Sequence, residues 1–165
     1  GVGGRYIHYQ KRVVDPMAAV ASSLPGVASL EVVETPEGGT NVLVELGPEV
    51  QLEKVYPQLQ AIVTSSLGAN FNQLILIDNR SAELEEIYHR LHFTVQEGIS
   101  TGLFAKMADE IDQIVDVLPF LTHRIFVGER HVYIQLHDSD GYLYEVVPRL
   151  PVYASDPTKG GLGLW

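Results

Sequence analysis

The chain contains no cysteine. A disulfide framework, a thiolate metal site and a cysteine nucleophile are therefore all excluded. Long apolar runs are missing as well, and none approaches the roughly 20 consecutive residues a membrane-crossing helix needs. Basic residues are scarce, with 11 Lys and Arg against 21 Asp and Glu and a net charge of −10. A surface of that sign repels phosphate backbones and makes nucleic acid a poor partner. No Gly-rich stretch follows a strand and opens a helix, so neither a dinucleotide site nor a phosphate loop is supported. Gly160-Gly161-Leu162-Gly163 lies in the tail, outside such a context. The Gly-x-Ser-x-Gly elbow of serine hydrolases is absent too. No cofactor is indicated.

What is present is an ordinary globular composition. The 165 residues are 45% apolar and 19% charged, enough for one domain or two small ones sharing a core. Charge is unevenly placed. Arg5, Lys11 and Arg12 fall in the first twelve residues, and every acidic residue comes later. The start at Gly1-Val2-Gly3-Gly4 reads as a trimmed N-terminus, which predicts the soluble part of a membrane-tethered protein. Contact with membrane would then run only through the removed segment, and the side of the membrane stays undetermined.

Residues 1–14 read as a basic N-terminal arm, with Tyr6 to Val14 a short strand or extended segment. Asp15-Pro16 is an N-cap followed by a first-turn proline, and Met17, Val20, Ala21 and Leu24 follow at helical spacing. Val27 to Glu34 and Asn41 to Leu46 form a hairpin around Pro36, Gly38 and Gly39. Leu52, Val55, Tyr56, Leu59, Ile62, Val63 and Leu67 mark a helix that carries Pro57 and is expected to bend there. Phe71 to Ile77 is a buried strand. Leu84 to Val95 and Phe104 to Leu118 are helical, with Gly98 and Gly102 between them, as a helical hairpin or one broken helix. Leu121 to Val127, His131 to His137 and Tyr142 to Val147 are three more strands, followed by a tail over 150–165 whose Leu162, Leu164 and Trp165 suit an interaction role.

The fold class is therefore α+β, helices packed on antiparallel or mixed sheet. The expected parts are an α-β-β-α-β subdomain over 15–80 and a helical hairpin with a three-stranded antiparallel sheet over 81–149. A helix ending in Leu24-Pro25 leads into a hairpin, and Leu118-Pro119 does the same later, so two α-β-β units from an internal duplication are one reading. The other is that Leu-Pro is a common helix stop. In the Leu24-Pro25-Gly26-Val27 segment that leads into the hairpin and in the amphipathic helix Leu52 to Leu67, residues 15–78 resemble the ring-building domains of sporulation and secretion channel proteins. That resemblance implies two helices on one face of a three-stranded sheet, and assembly into membrane-associated rings.

The last hairpin carries the candidate site. Asp140-Gly141 is a good turn, and a two- or four-residue loop gives the same parity. His131, Tyr133, Gln135 and His137 then share a face with Tyr142, Tyr144 and Val146. Val132, Ile134, Leu136, Leu143, Glu145 and Val147 share the core face. Three Tyr and two His, flat apolar bodies with polar tips, suit an interface. Packing of the same face under the helical hairpin is the alternative. Glu145, among Val and Leu, needs a cation, with Arg124 and Arg149 nearest in sequence, or a sheet edge that lets it reach solvent.

Other constellations are weaker. His89 and His92 stand one turn apart beside Glu85 and Glu86, but the zinc-peptidase pattern and a third ligand are lacking, so no metal is indicated. Asp138-x-Asp140-Gly141 begins like a calcium loop, yet Tyr142 and Arg149 would fill its fifth and twelfth positions, so it reads as a turn. Asn79-Arg80-Ser81 matches a glycosylation sequon. Asp109, Glu110, Asp112 and Asp116 form an acidic stripe, a solvated face or a strip for a basic partner. The sequence thus points to a non-enzymatic binding or assembly domain whose partner is another protein or a second copy. The alternative is a small-molecule sensor using the His/Tyr face. An enzyme would rely on His131, His137 and Glu145 as acid/base groups.

Overall fold

The computed structural model of the chain describes residues 11–149. Residues 1–10 and the tail over 150–165 lie outside the described residues, and so do the readings that fall on them. The chain is α+β and divides between Asn79 and Arg80 into two compact units, each with a three-stranded sheet.

The first unit runs α1 (Lys11–Ala21), β1 (Val27–Glu34), β2 (Thr40–Leu46), α2 (Leu52–Leu67) and β3 (Phe71–Ile77). Lys11 to Val14 belong to α1 and not to an extended arm; the β-branched pair Val13-Val14 suggested a strand, but the helix already runs through it and carries Pro16 inside. β2 is central, antiparallel to β1 and parallel to β3. The register sets Leu30 opposite Val44 and Val32 opposite Val42. These four, with Met17 and Ala21 of α1 and Leu52, Leu59 and Val63 of α2, are buried. Pro57 lies within α2, where the helix continues through it. Gly26 is obligatory at the start of β1. Its φ is +89°, and a Cβ there would stand 2.9 Å from the Glu49 carbonyl oxygen and from Val50.

The second unit runs α3 (Ala82–Thr101), α4 (Phe104–Val115), β4 (Thr122–Val127), β5 (His131–His137) and β6 (Tyr142–Pro148). Its sheet is wholly antiparallel, with β5 in the middle. Leu84, Ile87, Leu91 and Val95 of α3 recur at helical spacing and are buried with Met107, Ile111 and Val115 of α4. Both helices pack on the sheet face formed by Val132, Ile134, Leu136, Leu143 and Val147.

The two segments that lead into the hairpins match in detail. Leu24 N–H bonds the Ala21 carbonyl and Val27 N–H the Leu24 carbonyl; Leu118 N–H bonds the Val115 carbonyl and Leu121 N–H the Leu118 carbonyl. The Leu-Pro segments thus make the same pair of tight turns. Past the hairpins the units diverge, since one adds a helix and a parallel strand and the other a third antiparallel strand.

The glycines at 98 and 102 do different work. α3 runs straight through Gly98 and stops at Gly102, whose φ of +75° caps it by an N–H bond to the Gly98 carbonyl. Met107 of α4 leaves no room at Gly98: a Cβ there would lie 2.6 Å from its Sδ and 2.9 Å from its Cβ. Gly98→Ala should therefore destabilise the chain by about 1–3 kcal/mol through overpacking, outweighing the roughly 1 kcal/mol that alanine gains in a helix. A chemical denaturation midpoint that rises in this variant would show that the helices have room to separate.

Candidate functional site

β5 and β6 pair His137 with Tyr142, Gln135 with Tyr144 and Tyr133 with Val146. The loop between them is Asp138 to Gly141, held by an Asp138 carboxylate that accepts from the backbone N–H groups of Asp140 and Gly141, each at 2.8 Å. That is an Asx turn and it occupies the very oxygen a calcium loop would need. The other Asp138 oxygen accepts from the Ser81 hydroxyl at 3.1 Å, while Ser81 caps α3 by accepting from Leu84 N–H. One aspartate thereby ties the hairpin tip to the start of the helix.

The register brings the six predicted residues onto one face, together with Phe126, which is opposite Tyr133 on β4. The rings approach one another in two groups. Phe126 and His131 lie 6.4 and 5.9 Å from Tyr133, and His137, Tyr142 and Tyr144 sit within 5.4 to 6.0 Å of one another. The face is not uniformly open. Tyr144, Gln135 and Tyr133 are only 2%, 5% and 6% exposed, His131, His137 and Tyr142 are half-buried, and Phe126 is 43% exposed. α3 and α4 are on the other face, so the helical hairpin is not what this surface packs beneath. Burial, with a smaller contribution from Arg130, pushes the His131 imidazole below its ordinary value and favours its neutral form.

Glu145 faces the helices, as the strand parity requires. Its partner is neither Arg124 nor Arg149. Arg124 is opposite Gln135 and therefore on the aromatic side. Arg149 donates to the Gly128 carbonyl at 2.7 Å and sits 4.7 Å over the Phe104 ring. Arg80 supplies the cation, 3.0 Å from Glu145 and 3.5 Å from Glu85, and it also donates to the Tyr144 carbonyl. β6 is an edge strand, and Glu145 and Arg80 are both half-buried there, so the pair keeps part of its hydration. Sequence reasoning missed Arg80, which is 64 residues from Tyr144 and preceded the helix as an apparent loop residue.

A second aromatic cluster stands on α3, running from Tyr88, which packs against the core, to the exposed Phe93. The His92 ring lies 4.1 Å from that of Phe93 and tilted to it by 40°, His89 lies 5.5 Å from His92, and Tyr88 lies 6.4 Å from His92. Glu85, Glu86, Tyr88, His89 and His92 line an open hollow of about 480 Å³. Among the described residues no three His, Asp or Glu side chains are grouped so as to hold a metal ion. Another hollow, of about 440 Å³, lies in the first unit beside Pro25, Val50 and Lys54. His123, half-buried on β4, pairs with Asp112 of the acidic stripe at 3.1 Å. No described helix is long and apolar enough to cross a membrane. No protein-family model, curated protein or solved structure matches the chain.

Tyr88 reports on the Arg80–Glu145 pair. Burial first, and the Glu145 charge second, push its phenol up to about 12, against a smaller opposing pull from Arg80. The raised value favours the neutral phenol in the folded chain. Its contribution to stability is complete below pH about 10 and is lost as the pH rises from there through about 12. Glu145→Gln should lower the Tyr88 pKa without returning it to 10, because burial remains. Tyrosine-resolved NMR titration measures this directly; an unchanged Tyr88 would place Glu145 too far away to act on it.

Proposed function

We propose that the chain is a non-enzymatic binding or assembly module that associates with protein, a second copy included, through the aromatic face of β4, β5 and β6. The observation that carries this reading is two groups of rings on one sheet face, Phe126, Tyr133 and His131 in one and His137, Tyr142 and Tyr144 in the other, fixed by backbone pairing on the side of the sheet away from α3 and α4. Rigid aromatic side chains lose little conformational entropy on contact and bury much area, which is why they dominate interfaces. Phe126 is the exposed anchor, and His131, His137 and Tyr142 are the half-buried polar surround.

The α1-β1-β2-α2-β3 order of the first unit supports the same reading, being the order of the assembly domains it resembles. The acid/base candidates do not converge: Glu145 is on one face of the sheet, and His131 and His137 are at opposite ends of β5 on the other. The sensor reading draws less support, since neither hollow is lined by His131, Tyr133, Gln135, His137, Tyr142 or Tyr144.

Sedimentation velocity tests the proposal. The wild-type chain should associate reversibly with rising concentration. Phe126→Ser combined with Tyr142→Ser should abolish association while leaving the circular dichroism spectrum and thermal midpoint nearly unchanged, because neither side chain is in the core. A substituted chain that associates equally well contradicts the reading, and a wild-type chain that stays monomeric throughout contradicts self-association through this face.

A further inference from the structure

The geometry points to a second binding surface, on the outer side of α3, that takes an arginine-bearing segment of a partner protein. The inference rests on the chain being a binding module but involves a different surface, on the far side of the helix layer from the aromatic sheet face.

α3 packs Tyr88 against the core from its flank but leaves His89 and Phe93 exposed. Its inward stripe of Leu84, Ile87, Leu91 and Val95 already fills the core. Yet the outer side carries Phe93 at 64% exposure, with the His92 ring tilted against it at 4.1 Å. An exposed large ring next to a concave surface can serve as a contact anchor. The hollow next to it combines aromatic walls, Tyr88, His89 and His92, with the carboxylates of Glu85 and Glu86.

Rings with carboxylates at their edge select a cation, which the ring faces attract and the carboxylates neutralise. A guanidinium fits better than an ammonium. It is flat enough to stack on His and Tyr, its fork matches a carboxylate, and it sheds water more easily. Glu85 already meets Arg80 at 3.5 Å, so this helix displays a guanidinium–carboxylate contact of the same kind at the edge of the hollow. Glu86 is exposed and supplies the second carboxylate. Arg90 is on the same helix but is not among the residues that line the hollow. Phe93 offers an apolar neighbour of the arginine a place to rest. The net charge of −10 draws a basic segment toward the chain in general, while the rings fix where it stays.

Fluorescence anisotropy with a labelled Arg-Leu-Arg-Leu peptide and the full chain tests this. Binding should saturate and should weaken several-fold when lysine replaces arginine in the peptide. Glu86→Gln combined with Phe93→Ala should weaken it about tenfold, the worth of one exposed ion pair and one aromatic contact together. Asp109→Asn combined with Asp116→Asn removes more charge, from the acidic stripe of α4, and should leave binding unchanged. Phe126→Ser with Tyr142→Ser should also leave it unchanged, which separates failure of this site from failure of the sheet face. Absence of saturable binding overturns the proposal. So does an equal loss in the α4 variant, which would mark general attraction between a basic peptide and an acidic protein.

Discussion

Asp138 closes the turn that pairs His137 with Tyr142, and that pairing decides on which side of the sheet each residue of β5 and β6 lies. Side chains alternate along a strand, so a slip of one residue would carry Ile134 and Leu136 out of the core and drive Tyr133 and Gln135 into it. The two faces differ too much in chemistry for such a slip to be tolerated. One meets α3 and α4 with aliphatic side chains; the other carries tyrosine and histidine. The same aspartate binds the cap of α3, so one side chain links the hairpin turn to the start of the helix.

Glu145 shows what the arrangement costs and how the cost is limited. Strand parity forces a carboxylate toward the helices, where isolated burial would be prohibitive. Its place on an edge strand and the guanidinium of Arg80, at the very start of the unit, make it tolerable. Burial raises the Tyr88 phenol and Glu145 adds to it against Arg80, while Arg80 also meets Glu85 at the edge of the α3 hollow. Core packing, hairpin register and the polar surface of α3 are therefore linked through a few residues around positions 80, 138 and 145.

Period and parity are local, and what depends on them was readable from the sequence. β1, β3 and β5 lie where their composition and flanking turns placed them, and the facing sets of the last hairpin follow from alternation whichever loop forms. Contacts between distant segments were not readable. Nothing near Glu145 in sequence announces Arg80, and Arg124 was excluded only once its strand partner was known to be Gln135. The burial of Tyr144 and Gln135 was likewise hidden, because alternation assigns a face but not what covers it. At the N-terminal end the error came from propensity. Val13 and Val14 favour strand, yet they lie in a helix whose later residues Met17 and Ala21 are buried. On α3, Tyr88, His89, His92 and Phe93 were visible as letters, but their grouping around a hollow depends on rotamers that sequence does not fix.

The absence of native cysteine makes the register open to a clean chemical measurement. With His137→Cys and Tyr142→Cys in the same chain, the two thiols stand on one face at paired positions, and mild oxidation should close an intramolecular disulfide in nearly every molecule. With His137→Cys and Leu143→Cys they stand on opposite faces, and no such bond should form. Ready closure of the second pair and not the first would contradict the register, and with it the aromatic face on which the proposed function rests.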